Sequence, residues 1–289
     1  MTPERSEALP SSSAVIGSTL RALVRAADLE VIPLPSLEAK LALVRPGTTI
    51  TITSSVKLGL ESTLRSTEAV VRSGHRAVPH LPARQVRDHD ELVGFVDRLA
   101  LLGITDLFVI GGDAAEPAGP FASALDLLEE LAQIPHPFEC IGVACYPEGH
   151  PAIPDDVLLD ALLRKQVHAT YMCSQLCFNA DVITAWVHAA RATGVGLPLH
   201  LSVAGPLHTL KLVELSIKIG VGASLKYLTN QRGLVGNLIR GGSYRPEELL
   251  HDLAPCLASS ELGIVKLHVS TFNQLAATVE WQRRVETGT

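Results

Sequence analysis

Three side chains fit for acid–base and hydrogen-bond chemistry crowd into Tyr146-Pro147-Glu148-Gly149-His150-Pro151. Two prolines and a glycine forbid further strand or helix there, so Tyr146, Glu148 and His150 are displayed on a loop. Glu30 alternates with apolar neighbours in LEVIPL. A carboxylate inside a strand is costly to bury unless paired. Two readings stay open for it: a salt-bridged structural glutamate, or a general acid whose pKa is raised by desolvation. Gly111-Gly112-Asp113 closes the run LFVIGG. Its glycines allow close backbone approach to a planar or phosphorylated ligand. Asp113 can accept two hydrogen bonds from an amidine-like edge such as a pterin's. An ordinary turn would look the same. His80, after Val78-Pro79, either caps its own strand or faces a ligand. Lys165, beside Arg164 late in a helical run, is either a solvated charge or a phosphate contact.

These residues fall at the ends of regularly spaced apolar runs. Strands are expected over Leu29 to Leu34, Thr48 to Thr53, Arg76 to His80, Asp106 to Ile110, Phe138 to Cys145, Thr170 to Gln175, Leu197 to Val203 and Gly263 to Val269. Helical patterns separate them, at Leu37 to Val44, Leu60 to Arg72, Asp88 to Leu102, Phe121 to Ala132, Asp155 to Val167, Ala180 to Ala192 and, last, Asn273 to Arg284. Eight strand–helix units point to an α/β fold, a single (β/α)8 TIM barrel. A doubly wound sheet is the competitor, but the first strand ends in Pro33-Leu34-Pro35 with no glycine-rich phosphate turn. Residues 1–14 are polar and read as a loose arm, with residues 15–289 as the barrel domain. Extra helical material, Leu207 to Ser259, is inserted before the last strand and would shape the mouth of the site. In a barrel the chemistry gathers where strands finish. Those ends carry Glu30, Thr53, His80, Asp113, Tyr146 with His150, Gln175, and Thr271 near Asn273.

Composition bounds the function. Of 289 residues 47% are hydrophobic and only 4% aromatic, which suits parallel strands covered by helices. A net charge of −6 without a Lys/Arg cluster argues against nucleic acid. No apolar run reaches the roughly 18 residues of a membrane span. Cys140, Cys145, Cys173, Cys177 and Cys256 are scattered and read as buried thiols in a reducing, cytoplasmic setting, with no metal site.

Several segments together resemble the methylenetetrahydrofolate reductase family. VACYPEGHP is similar almost letter for letter to that family's tyrosine–proline–glutamate–x–histidine–proline segment. LEVIPLP, VPHLPAR, FVIGGDAAEP, LLRKQ, CSQLCFNAD and VSTFNQ resemble other family segments in the same order. The resemblance implies a barrel holding FAD at the strand ends. It also implies reduction of 5,10-methylenetetrahydrofolate to 5-methyltetrahydrofolate with NADH or NADPH, and a possible homo-oligomer. Carried over residue by residue, it makes Glu30 the acid that opens the methylene bridge, with Asp113 on the pterin edge and tuning the flavin. Gln175 and Tyr227 would touch the folate. Thr53, His80, Gly112, Asp113, Ala122, Tyr146, His150 and Lys165 would line the FAD. The chain departs from the family pattern at Gly111, where an arginine is common, at Ser54-Ser55, and at Leu176 and Cys177. These departures leave a second expectation: a flavin-free relative, or a folate-binding methyltransferase or demethylase component, on the same fold.

Overall fold

The computed structural model describes residues 12–208, 211–214 and 243–288. Its strands are β1 (Asp28–Val31), β2 (Thr49–Ile52), β3 (Arg76–Pro82), β4 (Asp106–Ile110), β5 (Cys140–Cys145), β6 (Tyr171–Ser174), β7 (Leu199–Ala204), β8 (Leu207–His208), β9 (Ser243–Tyr244) and β10 (Ile264–Ser270). Eight of them close into a parallel barrel in the order β1-β10-β7-β6-β5-β4-β3-β2. The helices are α1 (Ser12–Arg25), α2 (Leu37–Leu41), α3 (Gly59–Arg72), α4 (His89–Leu101), α5 (Ala124–Leu131), α6 (Asp155–Lys165) and α7 (Ala180–Ala192), then α8 (Pro246–Asp252), α9 (Ala254–Ala258) and α10 (Leu275–Thr287). The expected (β/α)8 TIM barrel is the fold found.

Side chains alternate along each strand. One set, including Leu29, Val31, Ile50, Ile52, Leu107, Val109, Leu201 and Val269, is buried in one continuous apolar core with the helices. The other set points to the barrel axis. A small apolar cluster of Val78, Phe108 and Cys173 sits there, but Asp28, Glu30, His80 and His268 belong to the inward set too. Phe108 of β4 reaches across to His268 of β10, with ring centroids 6.5 Å apart. Tyr171 stacks on His200 at 4.1 Å. Gly142 leaves the room for this stack, because a Cβ there would fall within the Tyr171 ring.

Element ends are set by identifiable groups. The Asp88 carboxylate caps α4, and a Ser123–Asp126 capping box starts α5 at Ala124 rather than at Phe121. β1 stops at Val31, short of Leu34, because the Asn273 side chain takes both the N–H and the carbonyl of Ile32. β5 starts at Cys140 rather than Phe138, since the N–H groups of Glu139 and Cys140 both go to the Thr105 carbonyl. α1 begins at Ser12, inside the segment expected to be a loose arm; the residues before it lie outside the described ones. Of the insertion, the described parts include the antiparallel β8–β9 ribbon, residues 211–214 and helices α8 and α9. Tyr227 lies outside the described residues. Among the described residues, no helix is long and apolar enough to cross a membrane, and no cluster of His, Cys, Asp or Glu could hold a metal.

The axial stack makes a firm demand on Gly142. Gly142→Ala overpacks the barrel against Tyr171 and is expected to cost about 3 kcal/mol, read as a lower urea midpoint at unchanged m-value.

Candidate active site

Glu30 is the centre of the site. β1 and β10 run side by side with Glu30 opposite Ser270. The Ser270 hydroxyl donates to Glu30 Oε1 at 2.9 Å, and His268 Nε2 lies 3.1 Å from Oε2. The Glu30 backbone carbonyl is fixed as well, accepting from the Thr271 N–H at 3.2 Å and hydroxyl at 2.6 Å. His268 is 5% exposed, while 23% of the Glu30 side chain reaches solvent. The pair therefore offers one carboxylate face to the strand-end rim and buries its imidazole behind it.

The electrostatics correct one expectation. Burial does push the Glu30 pKa upward, but His268, His80 and Ser270 more than reverse it and bring it to about 2. Glu30 alone is thus an ionised carboxylate, not a carboxylic acid near neutral pH. Burial would strip the proton from His268; its contacts with Cys173 and Glu30 reverse that and hold the imidazole well above its ordinary pKa. The proton resides on the histidine side of the pair. His80, 4% exposed, packs its ring against Phe108 at 4.7 Å. Burial lowers its pKa to about 4 against the pull of Glu30, so it is a neutral imidazole. His80 Nε2 has no hydrogen-bond partner among the described residues.

The backbone just past β10 is strained. Phe272 and Asn273 both have left-handed φ, 48° and 61°. Such residues cost about 1–3 kcal/mol each and persist only where surroundings dictate them. Here the Asn273 amide replaces two strand bonds: its Oδ1 accepts from Ile32 N at 2.8 Å, and its Nδ2 donates to Ile32 O at 3.0 Å. The turn sutures the β1–β10 seam directly above Glu30.

The remaining expected residues divide. Thr53 and Gln175 sit half-buried at strand ends, hydrogen-bonded through their N–H groups to Val31 and Cys145. Gly112 takes φ 91°, and a Cβ there would be 2.8 Å from that of Pro82. That contact, more than ligand approach, explains the glycine. Asp113 beyond it is exposed. Tyr146 and His150 meet edge to face at 5.5 Å. Burial, then Cys145 and Asp113, raise the Tyr146 pKa, so Asp113 acts on the same end of the barrel. His150 Nδ1 accepts from Ala152 N, which leaves its other ring nitrogen to donate. Ala122 is exposed, but its carbonyl is held by Arg84. Lys165 is 7% exposed and donates to the Ala144 carbonyl inside the wall. Burial lowers its pKa.

Two residues escaped the sequence reading. His268 lies mid-strand in IVKLHVS, where the inward positions Lys266, His268 and Ser270 are all polar; that alternation was the available signal. Arg84 directs its guanidinium to the carbonyls of Ala114, Ala115 and Ala122, and so shapes the loop that bears Asp113. A cavity of about 680 Å³ opens beside that loop, between α3 and α4. A second, of about 440 Å³, lies between α6 and α7 under Tyr146 and is walled by Leu159, Leu162 and Trp186.

A diphosphate-bearing flavin finds a poor fit in this arrangement. Of the residues expected to line FAD, His80 is buried inside the barrel, Lys165 is buried in its wall, and the Ala122 carbonyl is occupied. Arg84 already gives three of its five N–H groups to backbone carbonyls.

The pair carries a stability signature. Glu30 stabilises the fold above the ordinary carboxylate range, and this is lost as pH falls toward about 2. His268 stabilises it below the ordinary imidazole range, and this is lost only as pH rises through its raised value. Removing one partner strands the other charge. His268→Ala is expected to cost about 3 kcal/mol in urea denaturation at neutral pH, and Glu30→Gln in the same chain to recover part of it.

Comparison with known proteins gives the geometry a context. A family model described as methylenetetrahydrofolate reductase matches residues 44–216. The chain is 32% identical to methylenetetrahydrofolate reductase 1 of Schizosaccharomyces pombe over 91 residues, 30% of this chain and 15% of that protein. It is 26% identical to methylenetetrahydrofolate reductase (NADH) 1 of Arabidopsis thaliana over 165 residues, 51% of this chain and 27% of that protein. The matched region thus spans 27% or less of the length of these two relatives. Among solved structures, a class V chitinase mutant from Cycas revoluta superposes with a TM-score of 0.50 at 12% identity, covering 90% of this chain and 99% of that one. That likeness concerns the barrel alone.

Proposed function

The chain belongs to the methylenetetrahydrofolate reductase family, and from that premise we propose that it reduces 5,10-methylenetetrahydrofolate to 5-methyltetrahydrofolate with NADH or NADPH. The observation that carries this reading is the proton-holding Glu30–His268 pair at the barrel rim. The reaction adds a hydride to the one-carbon unit and a proton to the nitrogen that leaves it. The nicotinamide nucleotide supplies the hydride. The pair supplies the proton. When the flat rings of the substrate cover the rim, they strip water from separated charges, which favours moving the proton from His268 onto Glu30. Glu30 then protonates the leaving nitrogen, the bridge opens to an iminium, and the hydride completes the methyl group. Asp113 accepts hydrogen bonds from the pterin's amino-pyrimidine edge, and Gln175 adds a further contact. Five free cysteines support a cytoplasmic setting.

The family's flavin is a separate question. Were FAD bound, Thr53, Gly112, Tyr146 and His150 at the rim would hold it, and it would supply a relay for the hydride. A second reading, direct transfer from nicotinamide to folate without flavin, is favoured by the buried Lys165 and by an Arg84 engaged with three backbone carbonyls.

Two measurements test the proposal. Glu30→Gln removes the proton carrier and is expected to lower kcat by about 100-fold or more, with NAD(P)H oxidation as the assay. In the wild type the rate should stay level through neutral pH and fall on the alkaline side, as the pair loses its proton. A rate that instead collapses as pH rises through about 4 would return the proton to Glu30 alone. A visible spectrum of the purified protein separates the flavin readings. Absorption that bleaches with NADH and returns with methylenetetrahydrofolate establishes flavin transfer. Folate-dependent NADH oxidation by colourless protein establishes direct transfer.

A further inference from the structure

Beneath the Glu30–His268 pair lies a second charged layer. Asp28 is two residues below Glu30 on β1, and Lys266 is two below His268 on β10. In the strand register Asp28 stands directly opposite His268. The Asp28 carboxylate leans down to the Lys266 ammonium at 2.7 Å, much as Glu30 leans down to His268 at 3.1 Å. Along the seam the order is therefore carboxylate, imidazole, carboxylate, ammonium. Asp28 is 4% exposed, with His200 Nδ1 also 3.6 Å from it.

A barrel interior is ordinarily filled by branched apolar residues. Burying the Asp28 carboxylate here costs several kcal/mol before its attraction to the half-buried Lys266 ammonium is counted. The Asp28–Lys266 pair is too far down the axis to meet a substrate at the rim. Its nearest functional neighbour is His268.

We propose that Asp28, held in place by Lys266, is a positioning residue for proton delivery: its carboxylate secures the charged imidazole of His268 from below while Glu30 secures it from above. This rests on the reductase reading for its kinetic consequence, but not for its electrostatic one. Asp28 feels the charge of His268, and acts beside the other groups around the ring. Cys173 of β6, which itself helps hold the His268 pKa up, and Ser202 of β7 are joined to each other at 3.4 Å. Phe108 of β4 is apolar, and His80 of β3 is uncharged at neutral pH. His200 of β7, its pKa lowered to about 3 by burial, Lys266 and His268, is uncharged too. Among the described residues the carboxylates facing the imidazole are Glu30 and Asp28, burial raising the Asp28 pKa against the pull of Lys266, and Lys266 opposes the imidazolium.

The sign of each substitution follows. Asp28→Asn keeps the shape but leaves Lys266 uncompensated below His268, so the pair should lose its proton at lower pH. The rate on the alkaline side should fall by about tenfold or more, while the plateau at lower pH and the KM for folate stay unchanged. Asp28→Asn combined with Lys266→Gln leaves an uncharged layer and should move the alkaline limb back toward the wild type. A purely structural role predicts the reverse, with the double variant at least as impaired as the single one and the plateau falling too. That outcome, or an unmoved limb in Asp28→Asn, overturns the proposal.

An NMR titration of the His268 ring in the unliganded wild-type protein needs neither variant nor turnover. An imidazolium persisting through neutral pH supports the inference, and a neutral ring at pH 7 overturns it. Absence of reductase activity in wild-type protein would sink the functional reading and leave this titration standing.

Discussion

The structure depends on one contact: a carboxylate and an imidazole, 238 positions apart in sequence, held 3.1 Å from each other inside a closed barrel. Neither ion could persist alone in that interior, because burial charges each a desolvation penalty of several kcal/mol. Together each offsets the other's desolvation, which holds the carboxylate pKa down and the imidazole pKa up. The barrel walls make this possible. Most outward strand positions are given to the apolar core, so the inward positions on β1 and β10 are free to be charged.

The seam between those two strands is where the chain's first strand meets its last. It is also where the backbone is most strained. Phe272 and Asn273 accept left-handed conformations because the Asn273 amide then reaches both backbone groups of Ile32. Thr271 adds two bonds to the Glu30 carbonyl. Barrel closure and the placement of Glu30 are the same set of hydrogen bonds. Loosening the seam would therefore disturb the chemistry before it opened the fold.

Much of this was legible in the sequence. Eight apolar runs alternate with helical patterns, and the strand over Asp106 to Ile110 and the helix over Ala180 to Ala192 match the observed bounds. Those segments are bounded by local signals, such as the Asn179 cap at the start of α7. Elements whose ends depend on distant partners were misjudged: β1 is cut short by Asn273, and β5 by Thr105. The same distinction governs the site. Glu30 stood out as a lone charge in an apolar run, but the sign of its pKa shift is set by His268, which no local pattern attaches to it. Lys165 looked available because helical position does not reveal that a side chain turns inward to a strand carbonyl. Tyr227 lies outside the described residues.

The residues that resemble the family's thus fall into two groups with different fates. Glu30, which would handle the proton, lies on β1, and strand register alone brings it into contact with His268 of β10, a residue outside the resembling segments. Those that would handle a flavin come from separate loops and helices, and their geometry is set by local demands: Gly112 by Pro82, Ala122 by Arg84, Lys165 by Ala144. Strand register is hard to alter, since a one-residue slip would turn every inward side chain outward. Loop contacts are free to drift. A barrel that keeps its seam while its loops diverge can therefore retain the proton chemistry of the reduction even as the route taken by the hydride changes.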